Sequence, residues 1–217
     1  PPTLCVEAWA GGAGISQQLA RVGFTVRAYE SSPEGQGSHL PEGDISRTEN
    51  QTDLADLIRE RKVYSLHLAV DCKSWGTFQN LKKTTQPRDQ PQGDGTLEHE
   101  RIGNQGMAIA LWLIILCVTY GVFFSFEHPR PSRAWFLPII LALLQLSGLY
   151  LIELDQCAWV KRPGDWDPTQ GDLRVKKGTT IMTNNPYLKV LDKKCADVVV
   201  HSHKGTEGTS LTGVLRS

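Results

Sequence analysis

The stretch LCVEAWAGGAGISQQLARVG, residues 4–23, has the pattern of a β-strand followed by a tight turn and an α-helix. Residues 4–9 are mainly apolar and predict a strand. The small residues at 10–14 suit a sharp turn, and the helix predicted from residue 15 is closed by Gly23, which is typical of a helix end. A strand that leads directly into a helix predicts an α/β fold.

The same alternation of strands and helices continues along the chain. Further strands are predicted at residues 25–30, 65–70, 122–126, 149–155 and 179–184. Further helices are predicted at residues 51–61, 104–119 and 134–147. Strands that alternate with helices form a mainly parallel sheet flanked by helices, and ligands of such sheets bind beyond the carboxyl ends of the strands. We therefore predict an α/β, Rossmann-like fold.

The length and the charge of the chain limit how many domains it can form and which partners it can bind. A chain of 217 residues suits one domain better than two, so we predict a single domain over residues 1–217, with a mobile or substrate-facing polar loop at about 79–101. The formal charge is zero, which gives no overall argument for a polyanionic partner. Bases outnumber acids after residue 60, so a nucleic acid would approach that part of the chain, although ordinary surface charge explains the same distribution.

Cysteine usage predicts a reducing, intracellular compartment such as the cytoplasm or nucleus. The five cysteines are odd in number, widely spaced and without a CxxC pair, which argues against a disulfide framework and against a zinc site. They are Cys5, Cys72, Cys117, Cys157 and Cys195.

Two uncharged runs, residues 102–126 and 134–152, are long enough for a pair of membrane helices. Gly121 divides the first run, and its end, VFFSF, is typical of a strand. Pro138 and Gly148 interrupt the second run. Buried elements of an α/β core are equally apolar, so we favour a core without membrane spans.

Three features at predicted strand ends indicate a nucleotide-type pocket. The small residues in EAWAGGAGIS, residues 7–16, let a ligand approach the amides of a helix N-terminus, although such turns can also serve packing alone. Glu30 could accept hydrogen bonds from ribose hydroxyls, and Asp44 could accept one from an exocyclic amine. A solvated strand-end acid for Glu30 and an Asx turn for Asp44 are the alternatives. Together the three features suggest an adenosine-containing cofactor.

A cysteine and a carboxylic acid stand at two other strand ends. Cys72 follows the apolar run at 65–70, and Asp71 and the polar turn after it make burial of the thiol less favourable. Glu127 follows the strand VFFSF and could donate a hydrogen bond to a ring nitrogen when protonated. If these strands are neighbours, the thiol and the carboxyl share one cleft, which is a combination for covalent catalysis.

Such a thiol needs a nearby cation, because an ordinary cysteine with a pKa near ~8.5 is mostly protonated at neutral pH. Asp71 has the wrong charge for this purpose, and Lys73 has the right one. Further cations in DLRVKKGTTIMTN are Arg174, Lys176 and Lys177.

In this order the motifs resemble those of the cytosine-5 DNA methyltransferases, most closely the compact phage-type members. EAWAGGAG resembles the family's cofactor motif D-L-F-A-G-x-G-G. VDCKSWGTF, residues 70–78, is similar to P-D-C-T-T-[FY]-S, and FEHPRPSRAWFLP, residues 126–138, is similar to E-N-P-R-x. DQCAW, VKKGTTIMTN and GTSLTGV resemble the later segments. The chain departs from the family at Val70, His128 and Gly178, and it has no room for a separate target-recognition domain.

The resemblance implies that the α/β fold is AdoMet-dependent methyltransferase-like (Rossmann-like), where AdoMet is S-adenosyl-L-methionine. It also implies transfer of a methyl group from AdoMet to carbon 5 of cytosine in DNA, through a covalent cysteine adduct. It implies that Cys72 is the nucleophile, that Glu127 binds the cytosine and that Lys176 supplies a basic group. The residues that it implies for cofactor binding are Trp9, Ala10, Gly11, Gly14, Ile15, Glu30, Asp44 and Ile45.

Several alternatives remain open at this point. The substrate could be RNA or an amino group in place of DNA, and the chain could be a catalytically impaired AdoMet-fold module. Trp75 and Phe78 could fill the space left by a flipped base, or they could pin the loop by hydrophobic contacts. A monomer is expected.

Overall fold

The structure is a computed structural model that describes residues 2–30, 43–76, 84–159, 173–175, 177–195 and 202–204. Its strands are β1 Leu4–Ala8, β2 Thr25–Tyr29, β3 Val63–Leu68, β4 Phe123–Pro129, β5 Tyr150–Asp155, β6 Leu173–Val175, β7 Gly178–Thr183 and β8 Ser202–Lys204. Its α-helices are α1 Gly14–Arg21, α2 Thr48–Arg59, α3 Glu98–Tyr120 and α4 Pro138–Leu143.

Six strands form one mixed sheet in the order β2-β1-β3-β4-β7-β5. The pairs β1–β2, β1–β3 and β3–β4 are parallel, whereas β7 runs antiparallel to both of its neighbours, β4 and β5. With helices packed against it, this sheet forms an α/β, Rossmann-like fold in which most strands run in the same direction, so the predicted α/β class with a mainly parallel sheet is confirmed. The short strands β6 and β8, which the sequence pattern did not predict, form a separate parallel pair.

The main core lies on the face of the sheet that α2 and α3 cover. Alternate residues of a strand point to the same face, and the alternate apolar residues of β1, β3 and β4 meet apolar residues of the two helices there. This cluster includes Val6, Ala8, Leu66, Leu68, Phe124, Phe126, Leu54, Ile58, Met107, Ala110 and Ile114. The opposite face carries a polar row, in which Glu7, His67 and Ser125 stand in register on adjacent strands.

Two helix boundaries differ from the sequence prediction. α3 begins at Glu98, inside the predicted loop, because the buried Glu100 accepts hydrogen bonds from Thr84 and Thr85 and so joins the loop to the helix. The helix predicted at 134–147 is split, because Pro138 disfavours helical backbone at the residue before it and is itself the first residue of α4.

The uncharged run at 102–126 forms α3 and then β4, and the run at 134–152 does not form one continuous helix. By length and composition alone, α3 could cross a membrane. In this structure Met107, Ala110 and Leu113 of α3 are buried in the core beside the sheet.

Candidate active site

The side chains predicted to act together follow adjacent strands of the sheet. The glycine turn follows β1, Glu30 follows β2, Cys72 follows β3, and Glu127 lies near the end of β4. Since these four strands are parallel and neighbouring, their carboxyl ends form one edge of the sheet. The chain therefore brings the predicted cofactor residues and the predicted catalytic residues to the same edge.

The turn between β1 and α1 is strained and open. Trp9, Gly11 and Ala13 have positive φ angles of 58°, 52° and 51°, and a non-glycine residue in this region costs about 1 kcal/mol or more, which is most often tolerated at functional sites. A Cβ atom added at Gly11, Gly12 or Gly14 would meet no atom within 4 Å. These glycines are therefore not required by close packing among the described residues, which favours ligand approach over the packing role.

Two carboxylates accept hydrogen bonds from backbone N–H groups of this turn and of the start of α1. The N–H of Gly11 donates to Oε2 of Glu30 at 2.7 Å, and the N–H of Ser16, in the first turn of α1, donates to Oε2 of Glu7 at 2.7 Å. Both carboxylates are buried, so charge-assisted hydrogen bonds to them are stronger than those between neutral groups. Glu7 is a residue of the cofactor motif, and here it positions the start of α1.

Glu30 and Asp44 lie side by side. The two residues form a parallel bridge, in which the N–H of Glu30 donates to the carbonyl of Gly43 and the N–H of Ile45 donates to the carbonyl of Glu30. Oδ1 of Asp44 also accepts hydrogen bonds from the N–H and the hydroxyl of Ser46, so the Asx turn that was an alternative role for Asp44 is present. The two residues predicted to bind the ribose and the adenine are thus neighbours through their backbones.

The other predicted cofactor residues differ in how far their side chains can reach a ligand. Ile15 is partly exposed at the start of α1, whereas the side chains of Trp9 and Ala10 are buried. The side chain of Ile45 is fully buried in the core, so only its backbone borders the site.

Cys72 lies on a turn at the carboxyl end of β3 and is exposed. Its carbonyl accepts from the N–H groups of Trp75 and Gly76, which closes the turn. Trp75 is fully buried, and its indole N–H donates to the carbonyl of Gly103 in α3. Trp75 therefore pins the loop and does not project into the cleft, and Phe78 lies outside the described residues.

Glu127 stands between two nitrogen bases. Its Oε1 lies 3.7 Å from Nζ of Lys177, and its Oε2 lies 3.9 Å from Nε2 of His67. His67 Nδ1 is 2.8 Å from the hydroxyl of Ser125. Burial lowers the pKa of His67, although Glu127 and Glu7 act to raise it, so the imidazole is neutral at neutral pH. Sequence reasoning missed His67, and its signal was a histidine at an alternate position of a predicted strand.

Two acidic side chains and one lysine shift the pKa of the Cys72 thiol. Loss of hydration on the protein side of the sulfur raises the pKa of Cys72, and the charges of Asp71 and Glu127 raise it further. Lys177 acts in the opposite direction and lowers it. Lys73, which the sequence suggested for this purpose, lies 3.5 Å from Asp71. Lys177 and Glu127 are thus close enough to the sulfur for their charges to act on it, and we refer to the space between the three side chains as the cleft.

Lys177 reaches this cleft because β7 is reversed. β7 pairs antiparallel with β4, with Glu127 opposite Ile181 and Pro129 opposite Thr179, so β7 starts at the edge where β4 ends. Lys177 immediately precedes β7 and therefore faces Glu127. The predicted basic residue Lys176 lies outside the described residues, and its role stays a prediction.

The three departures from the family motifs have local structural reasons. Val70 is buried in the core. His128 points away from Glu127 into the core, where it packs against Phe126 and Trp135, and burial lowers its pKa to about 3. A Cβ atom at Gly178 would lie 3.3 Å from the guanidinium of Arg130, which pairs with Asp155 at 2.9 Å. The side chains of Val70 and His128 are thus buried, and a side chain at position 178 would crowd Arg130.

The chain is similar to known proteins in structure but not detectably in sequence. No family model matches the chain, and no curated protein matches it. Among solved structures, the crystal structure of the S. pombe Dnmt2 methyltransferase is similar, with a TM-score of 0.43 and 12% sequence identity, over 91% of this chain and 53% of that chain. This chain thus spans about half the length of that protein. The fold assignment rests on sheet order and strand direction and does not depend on this likeness.

Proposed function

We propose that this chain is an AdoMet-dependent methyltransferase that acts on carbon 5 of cytosine in DNA. The observation that carries the proposal is that Cys72 and Glu127 lie at the carboxyl ends of neighbouring parallel strands, and that Lys177, 3.7 Å from Glu127, acts on the charge of the Cys72 sulfur. An accessible thiol, a carboxyl and an ammonium group are the groups required for covalent addition to an electron-poor ring.

The residues at the ends of β1 and β2 fit an adenosine-containing cofactor. The open turn at residues 10–14 leaves room above its backbone, and Glu30 and Asp44 present adjacent carboxylates to hydroxyl and amine donors. AdoMet would supply an electrophilic methyl group at this position. Glu30 would orient the cofactor through its ribose, while its bond to the Gly11 N–H keeps the turn in shape.

The chemistry assigned to the protein begins with the thiolate of Cys72, which would add to carbon 6 of cytosine. Glu127 would hydrogen-bond or protonate the ring nitrogen N3, which makes carbon 5 nucleophilic. After methyl transfer a base removes the carbon 5 proton, and the Cys72 sulfur leaves as the ring double bond returns. Lys177 favours the thiolate at the start and at the end of this cycle.

A base inside a duplex cannot reach this thiol, so the target cytosine would have to leave the stack, at a cost of about a few kcal/mol. Single-stranded DNA avoids this cost, and we expect it to react at least as well as duplex DNA.

A second candidate, a cofactor-binding module without methyl transfer, is favoured by one observation. Loss of hydration on the protein side of the sulfur and the neighbouring acids raise the pKa of Cys72, which leaves the thiol mainly protonated at neutral pH. In that case the chain binds AdoMet but forms no adduct.

The test is incubation with isotope-labelled AdoMet and a mixture of DNA and RNA, followed by mass spectrometry of the nucleosides. We expect labelled 5-methylcytosine in the DNA and a covalent complex with DNA that contains 5-fluorocytosine. Label in RNA alone would reassign the substrate, and label on an amino group would exclude the Cys72 mechanism. Cofactor binding without product or complex would support the second candidate.

A further inference from the structure

Two other cysteines meet at the edge strand of the sheet. Cys157 lies in a single 3-10 turn, Gln156–Ala158, directly after β5, and its side chain is buried. Cys195 comes from a later segment and is half-buried. The two side chains are close enough for a hydrogen bond with Cys195 to contribute to the raised pKa of Cys157.

The backbone holds the two residues together. The N–H of Asp155 donates to the carbonyl of Lys193 at 3.0 Å, and Oδ2 of Asp155 accepts from the N–H of Cys195 at 2.9 Å. Oδ1 of the same carboxylate pairs with Arg130 at 2.9 Å. Asp155 thus binds both Arg130 and the backbone of Cys195. Because Asp155 is two residues before Cys157, these contacts bring Cys195 close to Cys157.

The two thiols differ in reactivity. Burial, followed by the effect of Cys195, raises the pKa of Cys157 to about 11, so Cys157 is a poor nucleophile at neutral pH. Cys195 is more exposed and is the first of the two that a solution oxidant meets. In the described part of the chain, no group of three His, Cys, Asp or Glu side chains could hold a metal ion.

We propose that Cys157 and Cys195 form a reversible oxidation site, at which the two thiols convert to one intrachain disulfide. The thiolate of Cys195 attacks a low-molecular-weight disulfide, such as oxidised glutathione, and releases one thiol. The Cys157 sulfur, after losing its proton to solvent, then attacks the sulfur of Cys195 and releases the second thiol. The protein loses two electrons and two protons, and the oxidant becomes two thiols.

The bond would constrain the segment that presents Lys177. The N–H of Gln156, next to Cys157, donates to the carbonyl of Lys177 at 3.0 Å, and Lys177 lies between the two cysteines in sequence. Closing this loop covalently removes conformational freedom from the unfolded chain. We expect the melting temperature of the oxidised protein to rise by roughly 5–10 °C.

The experiment is a titration of the purified chain against mixtures of reduced and oxidised glutathione, with the thiols blocked and the peptides mapped by mass spectrometry. We expect the Cys157–Cys195 linkage to be the main oxidised product, to form faster as the pH is raised, and to disappear on reduction. The wild-type protein suffices for this measurement. Cys157→Ser and Cys195→Ser should each remove the linkage, and Cys5→Ser, a control cysteine outside the pair, should retain it.

Two results would overturn the proposal. One is a glutathione adduct that stays on Cys195 without conversion to the intrachain linkage at any pH at which the protein is folded. The other is stoichiometric zinc in the protein as purified, which shields both thiols from alkylation until a chelator removes it. Neither result depends on methyl transfer, so this proposal and the proposed function succeed or fail separately.

Discussion

The ammonium of Lys177 lies 3.7 Å from the carboxylate of Glu127, although the two residues belong to distant parts of the sequence. Lys177 is also the cation that lowers the pKa of Cys72. One side chain therefore acts on both of the groups assigned to the cytosine ring. This relationship makes Lys177, and not Lys73, the expected source of activation for the thiol.

Replacement of the nucleophile should separate catalysis from cofactor binding. Cys72→Ser is expected to lower methyl transfer at least about 10³-fold, because a serine hydroxyl is a much weaker nucleophile at neutral pH. AdoMet affinity by calorimetry should not change, since Cys72 is not among the cofactor residues. Cys195→Ser, a cysteine outside the cleft, is the control. Transfer that survives in Cys72→Ser would show that the reaction uses no covalent adduct.

Two substitutions should move the reactivity of Cys72 in opposite directions. Lys177→Met removes a cation that favours the thiolate, so the pKa of Cys72 rises and the rate of alkylation by iodoacetamide shifts to higher pH. Asp71→Asn removes an anion that disfavours the thiolate, so the same profile shifts to lower pH. Peptide mapping at a series of pH values measures both.

The matched control for these shifts is Lys62→Met, which breaks a surface pair with Glu60 at 2.6 Å. Its alkylation profile should coincide with that of the wild type. Equal shifts in Lys177→Met and Lys62→Met would mean that total charge, and not the position of Lys177, sets the reactivity.

Loss of the hydrogen bond between Glu30 and Gly11 should weaken cofactor binding. Glu30→Ala is expected to weaken AdoMet binding about 10- to 100-fold, because it removes a charged acceptor from the Gly11 N–H and from the cofactor. Glu30→Gln keeps an acceptor for Gly11 and should lose less. Asp53→Asn, which breaks only the exposed pair with Arg27, is the control. If calorimetry shows equal affinities for Glu30→Ala and Asp53→Asn, the cofactor binds elsewhere.

The ionised carboxylate of Glu100 should stabilise the folded protein, and this contribution should be lost when acid protonates it. Burial acts to raise its pKa, but the hydrogen bonds from Thr85 and Thr84 outweigh burial and lower it. A carboxylate with a lowered pKa in the folded state stabilises above the unfolded value, near ~4.3, and this contribution is lost as the pH falls through the folded pKa. Glu100→Gln should lower the free energy of unfolding at pH 7 by about 1.5–3 kcal/mol.

Chemical denaturation at pH 7 and below pH 4 checks this prediction, since the difference between Glu100→Gln and the wild type should shrink in acid. Glu98→Gln, an exposed residue of the same helix turn that pairs with Arg101, is the control and should differ little from the wild type at either pH. If the difference in free energy of unfolding between Glu100→Gln and the wild type stayed constant with pH, the substitution would act through packing and not through the charge of the carboxylate.

Two glycines of α3 provide a matched pair for the nucleophile loop. A Cβ atom at Gly103 would overlap the hydroxyl of Ser74 and lie 2.9 Å from the Ser74 Cβ, whereas at Gly106 its nearest contact is 3.4 Å from Val70. Gly103→Ala should cost about 1–3 kcal/mol and displace the turn that carries Cys72. Gly106→Ala should be neutral or stabilise by up to about 1 kcal/mol, because alanine favours a helix.

Thermal unfolding and the alkylation rate of Cys72 report these two effects separately. Equal melting temperatures for the two glycine variants would contradict the packing of Ser74 against α3.

Much of the fold follows from local pattern. The apolar runs and glycine turns predicted the six strands of the main sheet to within a few residues, because the strand residues that face the helices must be apolar. The ends of the helices were less predictable. Glu100 is a polar residue whose burial depends on Thr84 and Thr85, and hydropathy contains no sign of such a contact.

The sequence by itself determined that the glycine turn, Glu30 and Cys72 follow strands and that Glu127 lies near the end of one, because strand positions are set by local apolar runs. Only the tertiary structure decided that β7 is inserted between β4 and β5 and runs in the opposite direction, which carries Lys177 to Glu127. It also decided that Trp75 is buried and that Cys157 meets Cys195. Strand order and direction depend on contacts between distant segments, and such contacts leave no periodicity in the sequence.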